Sequence, residues 1–521
     1  MNKMAMASLV AAFAVSPLFA EIKMGAPFTD GAVLQRGMKV PVWGKVVAGE
    51  GGMASKVKVE FAGQSKTAVI GADGSWKVEL DPMEASKEAR SMTVSEIESG
   101  ILFDSTVGSL VIGDILVGEV WFASGQSNME CPLWGSSTRY RDMKGGLMTT
   151  MTRLPNVRYV KCDRKWSVTP QDLSAKWRKF TPEFLQLFYR DAASLGGSGR
   201  ELSAVAFYYA RELYLALDMP IGIVDASWGG TNIDAWTPRS GYDGCDESIK
   251  AVAEYSVKAD WNAATDKKKG PINGAQQQPT VLYNGMVASF APMAIRGFIW
   301  YQGCHNSGES QLYCAKLHAL YEGWRREFAN PDLKFYLVQL APWKQNWLGI
   351  CMAQTKFCAE EKNAALAVTA DVGNFDDIHP NDKEIVAKRL VVHALKRDYG
   401  FAVPEDDSPV AKSVSFKDGK ATVSFSNVKA WYVYAPNRSR DAAFELAGAD
   451  EKWFPAKILN YRKSKDKDGK ECETDYIDGS DIVLSSEQVP EPTKVRYMGQ
   501  PRTSGTLYNE ASLPLGPFAM P

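Results

Sequence analysis

Histidine is scarce in this chain, with four residues in 521, so any general base or metal ligand of that type comes from a short list. The eight cysteines, at 131, 162, 245, 304, 314, 351, 358 and 472, include no Cys-x-x-Cys pair. With no histidine placed as a companion ligand, the spacing gives no zinc pattern and no metal is expected at the site. No long run of Lys or Arg occurs, and 60 basic residues face 61 acidic ones for a net charge of -1. A phosphate backbone would find no electrostatic footprint here, so nucleic acid is excluded as a partner. Beyond the N-terminus no segment reaches the roughly 18 uninterrupted apolar residues of a spanning helix.

What is present is an average globular composition, 45% hydrophobic and 23% charged, long enough for about three domains. Residues 1–20 differ from the rest: Lys3, an apolar run from Met4 to Val15, and Ser16-Pro17-Leu18-Phe19-Ala20 before Glu21. That order predicts a signal peptide and an exported protein, periplasmic or secreted. An even cysteine count in an oxidising compartment allows disulfides, whose connectivity the sequence does not give.

From Glu21 to about residue 112 the pattern is β, with Val57–Phe61 and Trp76–Leu80 alternating around an Asp73-Gly74 turn signal, which predicts a small β-sandwich. Residues 113–400 then alternate buried-strand runs with helical patterns. The strands are Val120–Ala123, Ile221–Ala226, Gly297–Tyr301, Phe335–Leu340 and Leu366–Ala370; the helices are Ser203–Leu217, Gln311–Phe328 and Asp382–Lys396. Such alternation predicts an α/β domain with a parallel sheet covered on both faces and its site at the carboxyl ends of the strands. A linker at 401–409 leads to a second β region, 408–521, with a hairpin signal at Asp418-Gly419.

The sharpest chemical feature is Gly125-Gln126-Ser127-Asn128-Met129-Glu130, directly after the strand ending Trp121-Phe122-Ala123. A serine at a strand-to-helix junction presents its hydroxyl at the sheet edge, beside backbone N–H groups suited to an oxyanion; the plain alternative is a helix N-cap. Met129 stands where the G-x-S-x-G elbow has its second glycine. Of the histidines, His318 and His393 fall inside helical patterns, and His305 follows the Gly297–Tyr301 strand. His379 stands before a helix marked by Asn381 and Glu384. Asp376, three residues earlier, could fix its tautomer so that Nε2 faces Ser127. Gly229 and Gly230, after Ile221–Ala226, allow close approach of backbone donors, and Asn306 offers a side-chain donor; a tight turn and an Asx turn are the plainer readings.

Gly125-Gln126-Ser127-Asn128-Met129, Trp228-Gly229-Gly230-Thr231, Trp300-Tyr301-Gln302-Gly303 with Asn306, and Asp377-Ile378-His379-Pro380 resemble the four blocks of the sialate O-acetylesterase family. Val33–Arg36, Val40–Gly44, Val495–Tyr497 and Leu507–Glu510 extend the resemblance over nearly the whole mature chain. It implies an SGNH flavodoxin-like three-layer α/β/α catalytic domain flanked by β-sandwich-like domains. It also implies a cofactor-free Ser127–His379 esterase acting on an O-acetylated carbohydrate, with or without a supporting acid. The oxyanion donors implied are the N–H of Ser127, a glycine of the Gly229-Gly230 turn and Asn306; Gln126 and Gln302 are assigned to substrate binding. Asp377, or no acid at all, is the alternative to Asp376. Cys304-His305 stands where family members commonly carry an acidic residue. An acetyl-xylan or other polysaccharide esterase, and a decayed carbohydrate-binding protein, are the other readings, since such motifs report ester chemistry better than sugar identity.

Overall fold

Seven strands build the sheet that carries the chemistry: β1 Asp104–Gly125, β2 Val157–Lys161, β3 Arg178–Lys179, β4 Ile221–Ser227, β5 Gly297–Tyr301, β6 Lys334–Val338 and β7 Ala364–Ala367. In this computed structural model they lie in the order β3-β2-β4-β1-β5-β6-β7. All pairings are parallel except that of the edge strand β3 with β2. The structure describes residues 21–47, 55–99, 103–133, 153–181, 203–258, 274–434, 443–465 and 467–521; the expected leader at 1–20 lies outside them.

Every residue of β4 and β5 is buried, as continuous apolar runs in a sheet covered on both sides must be. The covering helices are α2 Ala204–Leu217, α3 Ser310–Glu327, α4 Leu348–Glu360 and α5 Lys383–Arg397, following the single-turn helix α1 Ser127–Glu130. Neighbouring residues on β1 point to opposite faces, and each meets a different helix. Trp121 packs edge-on against Tyr209 of α2 at 5.2 Å, while Phe122 packs against Trp324 of α3 at 5.4 Å.

The helix expected over Ser203–Leu217 begins at Ala204, and Ser203 caps it by accepting the Ala206 N–H. At α5 the cap is Asp382, which accepts from Ile385, rather than Asn381; Glu384 in the first turn pairs with Arg211 and Lys388 instead of closing a capping box.

Two boundaries depart from the sequence expectation. β1 is one continuous strand of 22 residues: its first half pairs antiparallel with Ser86–Ser99 and its second half lies between β4 and β5. The boundary expected between residues 112 and 113 therefore falls inside a strand. Val33–Gln35, Lys56–Phe61, Gln64–Val69 and Ser86–Ser99 join the sheet of the α/β region, while Glu21–Met24, Val40–Val47 and Ser75–Leu80 form a sheet of their own that packs into the same core. The strand expected at Leu366–Ala370 ends at Ala367. Its apolar run continues because Val368 and Ala370 bury against the C-terminal β region, in a cluster with Trp431, Leu446 and Val495. That region begins at Val410 and forms three four-stranded sheets.

Candidate active site

The carboxyl ends of β4, β1 and β5 are flush, because Ser227 and Tyr301 both stand in register with Gly125. The chain leaves β1 toward β2 and β4 on one side and later returns to β5 on the other, so this edge is the topological switch point, where open α/β sheets place their sites. Gly125 has φ 137°, and a Cβ there would lie 2.3 Å from the Tyr301 carbonyl oxygen. Only glycine fits. The turn delivers Ser127 as the first residue of α1, half-buried at the rim. Met129, in place of the elbow's second glycine, is fully buried and its carbonyl accepts from Ser203 Oγ at 2.6 Å.

Two residues assigned to substrate binding are buried and hydrogen-bonded within the protein. Gln302 is fully buried behind the rim: its Nε2 donates to the Thr231 carbonyl and to Asn306 Oδ1, and its Oε1 accepts from the Tyr313 hydroxyl at 2.6 Å. Through the bond to Oδ1 it orients Asn306. Gln126 is also buried, and its Oε1 accepts the N–H groups of Gly303 at 3.1 Å and His305 at 3.3 Å. It ties the nucleophile turn to the loop after β5.

Asn306 is held from three sides. Its Oδ1 accepts from the Ile233 N–H at 3.0 Å and from Gln302 at 2.7 Å, and its Nδ2 donates to Glu309 at 3.0 Å. Glu309 and the buried Asp234 both receive Lys316 Nζ at 2.8 Å. A primary amide nitrogen carries two hydrogens, so the contact with Glu309 leaves Asn306 a second donor.

Gly229 is packed against the serine, since a Cβ on it would sit 3.1 Å from Ser127 Cβ. Its N–H, one of the expected oxyanion donors, instead donates to Glu130 Oε2 at 2.7 Å. Glu130 in turn pairs with Arg164 at 2.6 Å. Gly230 has φ 71° and an open surface where a Cβ would be.

The histidine loop between β7 and α5 corrects the expected acid. Asp376 is exposed and pairs with Arg502 of the C-terminal region at 2.9 Å. The carboxylate beside the imidazole is Asp377, whose Oδ1 lies 3.5 Å from His379 Nδ1 and accepts the His379 backbone N–H at 2.9 Å. An aspartate two residues before an N–H can fold back on it as an Asx turn does, and that sets the carboxylate near the ring; Asp376, one residue further away, is left to solvent. The same loop is gripped from the C-terminal side: Gly505 N–H donates to the Ala370 carbonyl at 2.8 Å, and the Tyr508 hydroxyl to Asp371 at 3.3 Å.

Asn128 and Lys383, both passed over in the sequence, join the two halves. Asn128 Nδ2 donates to the carbonyl of Ile378 at 3.0 Å, and its Oδ1 accepts from the buried ammonium of Lys383. The residue after the serine thus holds the residue before the histidine. Lys383 also lies over the Tyr301 ring at 5.3 Å. Burial pushes its amine down to about 8, against smaller opposing effects from Cys131, Cys304 and Asp377. The His379 imidazole is lowered by burial and by the charge of Lys383, with Asp377 opposing, so the ring is held in its neutral, proton-accepting form. Burial pushes the Cys304 thiol up to about 12, which disfavours the thiolate that an attacking cysteine needs. His318 and His393 stand elsewhere, the former among glutamates and the latter buried beside Asp406. Cys162, Cys245, Cys304, Cys314, Cys351 and Cys358 are free thiols.

Comparison with known proteins identifies the family. Residues 117–388 match the family model described as carbohydrate esterase, sialic acid-specific acetylesterase. The sialate O-acetylesterase of Rattus norvegicus is 26% identical over 436 residues, covering 76% of each chain. That of Homo sapiens is 27% identical over 429 residues, covering 75% of this chain and 73% of its own. The crystal structure of a carbohydrate acetylesterase from Xanthomonas citri, 29% identical, superposes with a TM-score of 0.74 over 96% of this chain and 100% of that one. The match spans the serine turn, both donor loops and the histidine loop, and so the chain belongs to the sialic acid-specific acetylesterase family of carbohydrate esterases and is a carboxylic ester hydrolase.

Proposed function

We propose that the chain is an exported serine esterase that removes O-acetyl groups from sialic acid or a related sugar, with Ser127 as nucleophile and His379 as base. One observation carries this reading: the serine turn and the histidine loop, some 250 residues apart, are fastened through Asn128 to the Ile378 carbonyl. The strand order, with Ser127 at its switch point and helices against both faces, supports an SGNH flavodoxin-like three-layer catalytic domain.

In the proposed cycle His379 takes the Ser127 proton as the hydroxyl attacks the acetyl carbonyl. The Ser127 N–H and the second Asn306 N–H hold the oxyanion, each such donor contributing about 2.7–4 kcal/mol to the transition state. A glycine N–H joins them if Gly229 exchanges Glu130 for substrate or if Gly230 supplies it. His379 returns the proton to the departing sugar hydroxyl; water activated by the same ring then releases acetate. Asp377 supports the imidazolium that forms in both halves.

Acetate release from a panel of O-acetylated sialic acids, xylan and simple esters, run beside Ser127→Ala, tests the proposal. The expected result is release from acetylated sialic acid by the parent chain and none by the variant, with both folded. A preference for acetylated xylan would move the assignment to a polysaccharide esterase. Turnover by Ser127→Ala equal to the parent's would overturn the nucleophile.

A further inference from the structure

On the flank of the sheet, α3 and the end of α4 bring together a set of donors that the ester chemistry does not use. Cys314 and His318 are four residues apart on α3 and so share one face. Glu360 closes α4 opposite them. One ligand atom from each of the three lies within 4.8 Å of the other two. Cys314 Sγ is 3.6 Å from Glu360 Oε2, and His318 Nε2 is 2.9 Å from the same oxygen. These residues border a surface cavity of about 740 Å³ that Cys245, Asp246 and Glu322 also line.

The second ring nitrogen is engaged as well: His318 Nδ1 lies 3.0 Å from Glu361 Oε1. A neutral imidazole that donates Nδ1–H to Glu361 turns the lone pair of Nε2 toward the lone pairs of Glu360. Two acceptors at 2.9 Å repel one another unless a cation sits between them. That cation is either a proton, making an imidazolium, or a metal ion. The third donor favours the metal, because an imidazolium does not need a sulfur, whereas zinc takes thiolate, imidazole and carboxylate together. The carboxylate on the far ring nitrogen is also the usual device for orienting a metal-bound histidine.

We propose that Cys314, His318 and Glu360 form a zinc site that clips α3 to α4, with Glu361 as the orienting carboxylate. Zinc bonds of about 2.0–2.3 Å place tetrahedral ligands roughly 3.3–3.8 Å apart, so the observed set closes on the ion by small side-chain movements. Asp246, on the same cavity, or a water completes four-coordination. Binding forms Zn–S, Zn–N and Zn–O bonds and expels the Cys314 thiol proton to solvent. Burial and the nearby Glu360 push that thiol up to about 12, a penalty that a divalent cation in contact with the sulfur removes. The pair of ligands four apart on α3 has no meaning in the sequence until that segment is known to be helical and Glu360 is known to face it.

The test uses the full chain, stripped with a chelator and titrated with zinc against a chromophoric competitor. One equivalent is expected to bind at submicromolar Kd, weakened at least 100-fold in Cys314→Ser and in His318→Ala. Glu361→Gln is expected to weaken it about 10-fold to 100-fold, the usual effect of losing such an orienting group. Cobalt in place of zinc should give a thiolate-to-metal charge-transfer band that Cys314→Ser lacks. Acetate release by His318→Ala should match the parent, showing that the variant is folded and the catalytic rim untouched. Failure of the parent to bind zinc in this range, binding unchanged in both ligand variants, or no charge-transfer band would each overturn the site.

Discussion

Lys383 donates its buried ammonium to the side-chain oxygen of Asn128, the residue next to Ser127. Through that contact one positive charge braces the serine turn and also stands near His379, where it disfavours a second positive charge. Replacing it with an uncharged residue of similar length, Lys383→Met, is expected to raise the proton affinity of His379. The acidic limb of kcat/KM, which reports the base of the free enzyme, should then move to higher pH. A purely mechanical role for Lys383 would lower the rate and leave the limb in place, and a pH–rate profile distinguishes the two.

The same lysine gives a stability dependence whose sign follows from linkage. Its folded pKa is about 8 against an ordinary 10.5, so between those values the unfolded chain binds more protons than the folded one. Stability therefore rises with pH across that window, where the buried ammonium is released; a shift of this size corresponds to about 3 kcal/mol. Urea unfolding near pH 7.5 and 9.5 should show the parent gaining relative to Lys383→Met at the higher pH. An equal response of the two proteins would show that Lys383 does not titrate there.

The two neighbouring aspartates should separate cleanly. Asp377→Asn is expected to lower kcat about 10-fold to 100-fold, less than the roughly 10⁴-fold loss known for a fully buried triad acid, because Asp377 is about half exposed. Asp376→Asn should match Arg502→Ala, with activity nearly unchanged and stability lower by about 0–1 kcal/mol, as for any exposed ion pair. Steady-state kinetics on one acetyl ester decides the matter, and a larger loss in the Asp376 variant would restore that residue as the acid.

Asn306→Ala should lower kcat by about 10²–10³ with little change in KM, as expected when a transition-state donor is removed. It should also cost about 1–3 kcal/mol in stability, since the Ile233 N–H and Gln302 lose their acceptor in a buried place. A loss of stability without the loss of kcat would leave Asn306 as a packing residue only.

Gly229→Ala offers a complementary check, because its methyl group would come within 3.1 Å of both Glu130 Oε2 and Ser127 Cβ. Kinetics and thermal unfolding should show a fall in kcat larger than any fall in Tm accounts for. Wild-type turnover would mean that the two loops can separate without consequence.

The sequence by itself determined the parts that depend on local order. Gly125 before Ser127, the all-buried runs of β4 and β5, the helix over 204–217, and the position of His379 before α5 follow from turn chemistry and periodicity within a few residues. It also brought the serine, the donor loops and the histidine to one sheet edge, because parallel strands with helical crossovers leave their carboxyl ends together. Only the tertiary structure decided what each polar group faces. Asp376 and Asp377 are adjacent and chemically alike, and their fates diverge because Arg502 approaches one of them from 126 residues away. Gln302 reads as a substrate ligand in its motif, yet Tyr313 and Thr231 close around it. Asn128, Lys383 and Glu130 carry no local signal, since a hydrogen bond or a buried charge is a relation between distant segments, and its partner exists only once packing has excluded water from the space between them.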